Sequence, residues 1–189
     1  MAHFTALFDA NVLYPAPLRD LLIQLAFTGH FRAKWSEDIH QEWINSLLQD
    51  RPDLKESDLQ KTRQAMDRAV LDCLVEDYDD LVSTLTLPDP NDRHVLAAAI
   101  RGRADVIVTI NIKDFSEEEL SKYSISVQHP DDFVLDLLNL VPADVYAAVK
   151  KIRARLENPP LTVDQYLDNL ERHGLTVSVS RLRGFEYLL

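Results

Sequence analysis

The run VIVTI, Val106-Ile107-Val108-Thr109-Ile110, is β-branched throughout and shows no alternation of polar and apolar residues. A strand with one wet face alternates, whereas an unbroken apolar run belongs to a strand covered on both faces, as in a parallel sheet. Working outward from it, Thr5 to Phe8 is a second apolar run, and Phe31 to Trp35 can form another short strand. Between these runs the apolar period becomes helical. Leu18, Leu21, Leu22 and Leu25 mark a helix over 15–28 that Gly29 stops. Ile39, Trp43 and Leu47 mark another after Ser36, and Leu59, Met66, Val70 and Leu74 a third behind a Ser57/Gln60 capping pair. Val82 to Leu87 reads as a weak strand, Asp89-Pro90 opens a helix with Val95, Leu96, Ala99 and Ile100, and Gly102 closes it. Ser116 with Glu119 predicts a capping box, Ser124 to Gln128 an edge strand and Pro130 to Leu140 a helix. Strands alternating with helices in this way predict an α/β sandwich.

From Pro142 the pattern changes to helices alone: one with Val145, Val149, Ile152 and Leu156, and one over 162–173 with a Thr162/Gln165 capping box and Gly174 at its end. Asn158-Pro159-Pro160 separates them. The organisation read from this is a sandwich domain over 1–140 and a C-terminal helical extension over 141–189.

The chain has 189 residues, enough for one well-cored domain with a modest addition. Its single cysteine, Cys73, rules out a disulfide framework and a cysteine-rich zinc site. Met1-Ala2-His3-Phe4 lacks the basic and apolar regions of a leader, and no apolar run approaches the roughly 18 residues of a membrane span. The expectation is a soluble, cytoplasmic protein. Twenty Lys and Arg face 31 Asp and Glu, a formal charge of −11, which opposes broad wrapping of a nucleic-acid backbone. It leaves room for an enzyme that reaches phosphate through a bound cation.

The first strand ends in LFDANVLYP, Leu7 to Pro15, so Asp9 falls at its carboxyl end. In open parallel sheets ligands bind outside those carboxyl ends. VIVTI ends in Asn111 and then Lys113-Asp114-Phe115, which delivers a second acid to the same edge. Asp92 sits three and four residues before Val95 and Leu96 and shares their inward face, and Glu42 lies on the inner flank of the Ile39/Trp43 helix. Taken singly, each acid has an ordinary explanation as a turn residue, a helix-dipole partner or a surface charge. Together they would repel by on the order of 4 kcal/mol per pair at ~4 Å and an effective dielectric near 20, so the cluster calls for a cation. Oxygen ligands suit magnesium or manganese, ions that support phosphodiester or phosphoryl transfer.

At these residues the sequence resembles a PIN domain, and specifically the VapC-type ribonuclease toxins of bacterial toxin–antitoxin pairs. The resemblance rests on FDANVLYP, on IHQEW around Glu42, on PDPNDRHVLAAAI around Asp92 and on ADVIVTINIKDF ending at Asp114, and it covers about residues 4 to 135. It implies a three-layer sandwich around a parallel sheet of about five strands, a homodimer, and a Mg2+- or Mn2+-dependent endoribonuclease. By motif match Asp9, Glu42, Asp92 and Asp114 form the acidic quartet, with Asp9, Asp92 and Asp114 on the metal and Thr109, Asn111 and Asn11 in support. Many PIN domains carry an acid after the threonine turn where this chain has Asn111, which leaves open whether Asn111 or Asp114 faces the metal. The family likeness also implies RNA as substrate and a small antitoxin as partner, one whose arginine could reach the carboxylates. The helical extension resembles that of a subset of these toxins and receives no chemistry.

Arg93, Lys113 and Arg101 are candidates for phosphate contacts. His94 and His40 are set aside, because neighbouring positions on a helix do not share a face. FDANVL is also similar to the early Asp-x-Asp loop of haloacid-dehalogenase-type phosphatases, but Asn11 stands where the second acid would be. A catalytically inactive PIN-like module that binds RNA or protein is the remaining alternative. No G-x-S-x-G, H-E-x-x-H or P-loop is present, and the four glycines leave little room for a phosphate-cradling loop.

Overall fold

The computed structural model of the chain describes residues 4–157, 159–185 and 189. Met1, Ala2 and His3, read above for a leader, and Asn158 of the Asn-Pro-Pro break lie outside the described residues. Five parallel strands form one sheet in the order β3-β2-β1-β4-β5. They are β1 (Phe4–Phe8), β2 (Phe31–Ser36), β3 (Leu74–Val75), β4 (Val106–Val108) and β5 (Ser126–Gln128). β1 is central because it is short, apolar and buried along nearly its whole length, and β4 beside it is buried at every position. Ala6 pairs with Ala33 on one side and with Val106 on the other.

Helices flank this sheet. Asp9 caps a four-residue helix, α1 (Ala10–Leu13), and α2 (Ala16–Ala26) follows directly. α3 (Glu37–Asp50) starts on Ser36, whose hydroxyl accepts from the Ile39 amide at 3.3 Å, and α4 (Glu56–Ala69) follows it. A short α5 (Asp79–Val82) leads to a 3-10 turn over Pro90–Asp92 and then α6 (Arg93–Arg101). After β4 a second 3-10 turn, Ile112–Asp114, precedes α7 (Glu117–Ser121). α8 (Pro130–Leu140) brings Phe133 against Phe4, Phe8 and Phe31, with ring centroids 5.1 to 6.1 Å apart. Phe4 and Phe8 are four residues apart on a strand and so share the face that α8 covers.

Several expectations need correction. The third strand is Leu74–Val75, not Val82–Leu87. Leu74, assigned above to a helix, pairs with Trp35 instead, and residues 79–82 are helical. Leu85 and Leu87 are buried, but in a connection without strand pairing. Neither the Ser57/Gln60 nor the Ser116/Glu119 box forms: α4 starts after Lys55 and α7 after Ser116, both without a side-chain cap. The helix expected from Asp89-Pro90 begins only at Arg93, after the 3-10 turn.

The C-terminal region has three helices where two were read: α9 (Pro142–Arg155), α10 (Val163–Arg172) and α11 (Thr176–Arg183). The Thr162/Gln165 capping box of α10 is complete. α11 has no local cap, and its free amides are met from α8. Asp131, 7% exposed, accepts from the Val177 amide through Oδ2 and from the Ser178 amide through Oδ1, each at 2.8 Å, while the Ser178 hydroxyl donates to the Asp131 carbonyl at 2.9 Å. One buried carboxylate thus performs for α11 the task that an N-cap normally performs from within the chain.

Removing this carboxylate leaves the buried Ser178 amide and the partly buried Val177 amide unpaired, so Asp131→Ala is expected to lower the unfolding free energy by about 1 to 3 kcal/mol in urea titration. Asp131→Asn, which keeps one acceptor oxygen, is expected to fall between the variant and the parent, with limited proteolysis of both variants starting in α11.

Candidate active site

Asp9 ends β1 and begins α1, and only 4% of it is exposed. Its carboxylate is surrounded by donors. Oδ1 accepts from the Ala10 amide at 2.6 Å, and Oδ2 accepts from the Thr109 hydroxyl and the Asn11 amide, each at 2.7 Å. Asn11 Nδ2 also donates to Thr109 Oγ1 at 2.8 Å, and its carbonyl oxygen accepts from the Ile110 amide at 3.0 Å. The Asn111 amide donates to Thr109 Oγ1 at 3.0 Å. The ends of β1 and β4 are therefore joined through one carboxylate, one hydroxyl and one amide side chain. Burial pushes the Asp9 pKa up, the bonds from Thr109 and Ala10 oppose the rise, Glu42 adds to it and His94 opposes it.

Asp92 closes the 3-10 turn before α6 and is partly buried. Its carboxyl is pushed up to about 7, first by burial and then by the charges of Asp9, Asp89, Asp114 and Glu42. Acids from four separate stretches of chain thus act on one point. Asp89 among them is held locally, accepting from the Asn91 amide at 2.9 Å. Asp114 ends the second 3-10 turn, partly buried, while Asn111 is exposed and joins the network through its backbone amide.

Glu42, on α3, has a partner that the sequence reading set aside. Oε1 of Glu42 lies 2.9 Å from Nε2 of His94. Burial alone would lower the His94 pKa, but the bond and charge of Glu42, with Asp38 and Asp9, outweigh it and the net shift is upward. The face argument against His94 failed because it weighed His94 only against the acid on its own stretch, whereas its partner, Glu42, comes from α3. His40 does stay apart: it is fully buried, with Nε2 2.9 Å from Asp67 and Nδ1 accepting from Trp43 Nε1 at 3.0 Å. Of the phosphate candidates, Arg101 is paired with Asp80 at 2.6 Å, Lys113 is exposed and Arg93 is partly buried.

Among the described residues, no group of three or more His, Cys, Asp or Glu side chains stands close enough to cage an ion unaided. The donor chemistry nevertheless fits a hard divalent cation. The converging ligands are all carboxylates, and their mutual repulsion is what an added positive charge relieves. Magnesium in particular keeps several waters and binds through one or two carboxylates, so it needs no closed cage.

The PIN domain family model matches residues 5–113, and a VapC50 C-terminal domain model matches residues 130–184. The curated protein "Putative ribonuclease VapC50" of Mycobacterium tuberculosis is 43% identical over 93 residues, which are 49% of this chain and 54% of that protein. The chain therefore spans about half the length of the curated relative it matches. No solved structure matches it.

A carboxyl whose folded pKa is raised binds more protons folded than unfolded, so in metal-free protein its contribution to stability falls as pH rises from the unfolded value, 3.8, to the folded value of about 7. In chelator, Asp92→Asn is expected to be more stable than the parent at pH 8 and equal to it at pH 3. Thermal unfolding midpoints across this range check the sign. Added Mn2+ should stabilise the parent more than the variant at the upper end.

Proposed function

Because the chain belongs to the PIN domain family, we propose that it is a divalent-metal-dependent endoribonuclease, the toxin of a toxin–antitoxin pair. The observation that carries the reading is geometric: Asp9 at the end of β1 is bonded to Thr109 just beyond β4, and the two 3-10 turns place Asp92 and Asp114 where their charges meet. A site that gathers Asp9, Glu42, Asp92 and Asp114 at the carboxyl edge of a parallel sheet is arranged for a cation and, beyond it, for a phosphate. The name of the Mycobacterium tuberculosis relative, a ribonuclease, supports RNA as the substrate.

In this proposal Asp9, Asp92 and Asp114 hold the metal, which is Mg2+ or Mn2+. When bound, such an ion polarises the phosphate and makes a water acidic enough to attack. Thr109 and Asn11 aim Asp9 by donating to its Oδ2, and the bond from Thr109 opposes the upward push of burial on its carboxyl. Asn111 supports Thr109 through its amide. Glu42 holds the metal directly or through ordered water, with His94 fixing its carboxylate. Asp114 rather than Asn111 faces the metal in this reading, since the charge of Asp114 reaches Asp92. No covalent intermediate is needed. A phosphatase of the haloacid-dehalogenase type would need a free acid at position 11, where Asn11 is fully engaged with Asp9, Thr109 and Ile110.

The proposed organisation is a nuclease domain over 1–140 and a helical extension over 141–189 whose work is packing. The proposed state is a cytoplasmic homodimer that an antitoxin segment, basic enough to meet the carboxylates, holds inactive. Among the described residues no helix is long and apolar enough to cross a membrane.

The test is cleavage of a mixed, end-labelled RNA pool by purified protein in Mn2+, in Mg2+ and in chelator. Cutting is expected with either metal and not in chelator. Asp9→Asn and Asp92→Asn are expected to lose more than the ~10- to 100-fold that His94→Ala, an outer partner of a ligand, should lose. Metal-independent cutting, or full activity in both Asn variants, would refute the mechanism, and RNA binding without cutting would favour the inactive module.

A further inference from the structure

Arg19 lies on α2 and is bonded to none of the acids above, yet it joins the elements that carry two of them. Its Nη1 donates to the Leu13 carbonyl at 2.7 Å and, more weakly, to the Tyr14 carbonyl at 3.4 Å. These carbonyls end α1, the four-residue helix that Asp9 caps at its other end. The guanidinium carbon sits 4.9 Å from the centroid of the Trp43 ring. Trp43 follows Glu42 on α3.

The indole is itself fixed from behind. Its Nε1 can only donate, so Nδ1 of His40, 3.0 Å away, accepts. The His40 proton then lies on Nε2, which donates to Asp67 of α4 at 2.9 Å. Asp67 accepts in addition from Trp35 Nε1 on β2, also at 2.9 Å. The chain of contacts runs from α4 through α3 and Arg19 to α1 and ends at Asp9. A second tie closes the same pair of helices from outside, where the Tyr14 hydroxyl donates to Asp50 at 2.7 Å.

Two features set Arg19 apart from a packing residue. It is 7% exposed and forms no ion pair among the described residues, and its Nε is buried without a hydrogen-bond partner. Burying a cation in this way is costly, and an apolar side chain of similar length would cost less. What an apolar chain cannot do is donate to a helix-ending carbonyl while holding a cation over the face of an indole. A helix of four residues cannot hold its own shape, and its last carbonyls have no partner within it.

We infer that Arg19 is a positioning residue for the candidate site: it fixes α1, and with it Asp9 and Asn11, against the part of α3 that carries Glu42. The inference rests on the nuclease reading for its kinetic consequence and on the fold alone for its structural one. Arg19 touches no reacting atom, and its effect passes through the placement of Asp9.

The test compares Arg19→Met, which keeps length and loses the donor, with Arg19→Lys, which keeps a donor and loses the planar guanidinium. All readings are taken below the melting temperature of each variant, and Lys keeps the test usable if Met does not fold. Amide exchange at Val12 and Tyr14, which bond to Asp9 and Ala10 within this turn, is expected to accelerate in Met and recover in part in Lys, with β1 and β4 unchanged. Mn2+ affinity, read calorimetrically without RNA, should weaken about 10-fold in Met, the lower end of the loss seen for outer partners of metal ligands. The RNA kcat should fall by a similar factor with KM unchanged, and Lys should lie between. A lower melting temperature with exchange, Mn2+ affinity and kcat all at the parent values would mean that Arg19 only stabilises, and would overturn the inference. If the parent protein neither binds Mn2+ nor cuts RNA, the nuclease reading fails instead. Exchange at Val12 and Tyr14 then decides alone whether Arg19 holds the turn.

Discussion

A carboxylate enclosed at the end of a central strand cannot be left without donors, and the region around Asp9 is shaped by that requirement. Three donors reach its two oxygens, and they come from the two residues that follow it and from Thr109 at the end of the strand alongside. Supplying Thr109 fixes where β4 must end, and supplying Asn11 fixes the turn into α1. The same pair of strands is sealed at its other end by Asp105, whose carboxylate accepts from the Thr5 amide at 2.7 Å while its own amide donates to the Thr5 carbonyl at 2.8 Å. The β1–β4 register is therefore held at both ends by acids, and the apolar pairs between them only have to fit.

That arrangement concentrates negative charge at one edge of a chain that is already acidic. The net charge of −11 is not evenly relevant. Several surface acids are matched by arginine or lysine, as in Arg51 with Asp53 or Arg183 with Asp164 and Asp168. The acids around Asp92 receive almost no such relief. Among the described residues His94 alone reaches in, and it pairs with Glu42. The site is thus strained in its metal-free form by the same charges that make it attractive to a divalent ion.

Much of this was legible in the chain itself. β1 and β4 announced themselves because apolar, β-branched or aromatic runs are what doubly covered strands require, β2 by the alternation of Phe31, Ala33 and Trp35 with Arg32 and Lys34, and the acids after β1 and β4 followed from the rule that such sheets bind ligands at that edge. The Thr162/Gln165 box was legible because both partners are local. The failures were non-local. A strand of two residues, Leu74–Val75, has no period to read and exists only because β2 offers an edge. α11 begins on amides satisfied by Asp131, 46 and 47 residues away, which no window of sequence contains. Ser57 and Ser116 carry the composition of a cap without forming the bond, since their helices begin elsewhere or use other partners. His94 escaped for the same reason: the acid it meets, Glu42, lies 52 residues away on α3, and helical phase within its own stretch was the argument used to exclude it.

The order of the sheet also sets when a nascent chain can acquire a site. Of the five strands β1 is made first but sits in the middle, and its partner β4 follows only after α1 through α6 and two further strands. Closing so large a loop is a slow and late step in folding, because its entropy must be overcome before the contact helps. Until Thr109 has emerged Asp9 lacks its strand partner, and until Asp114 has emerged the acidic edge is incomplete. A polypeptide of this topology therefore assembles its acidic edge only when the later strand, β4, swings in beside β1, the earliest of the five.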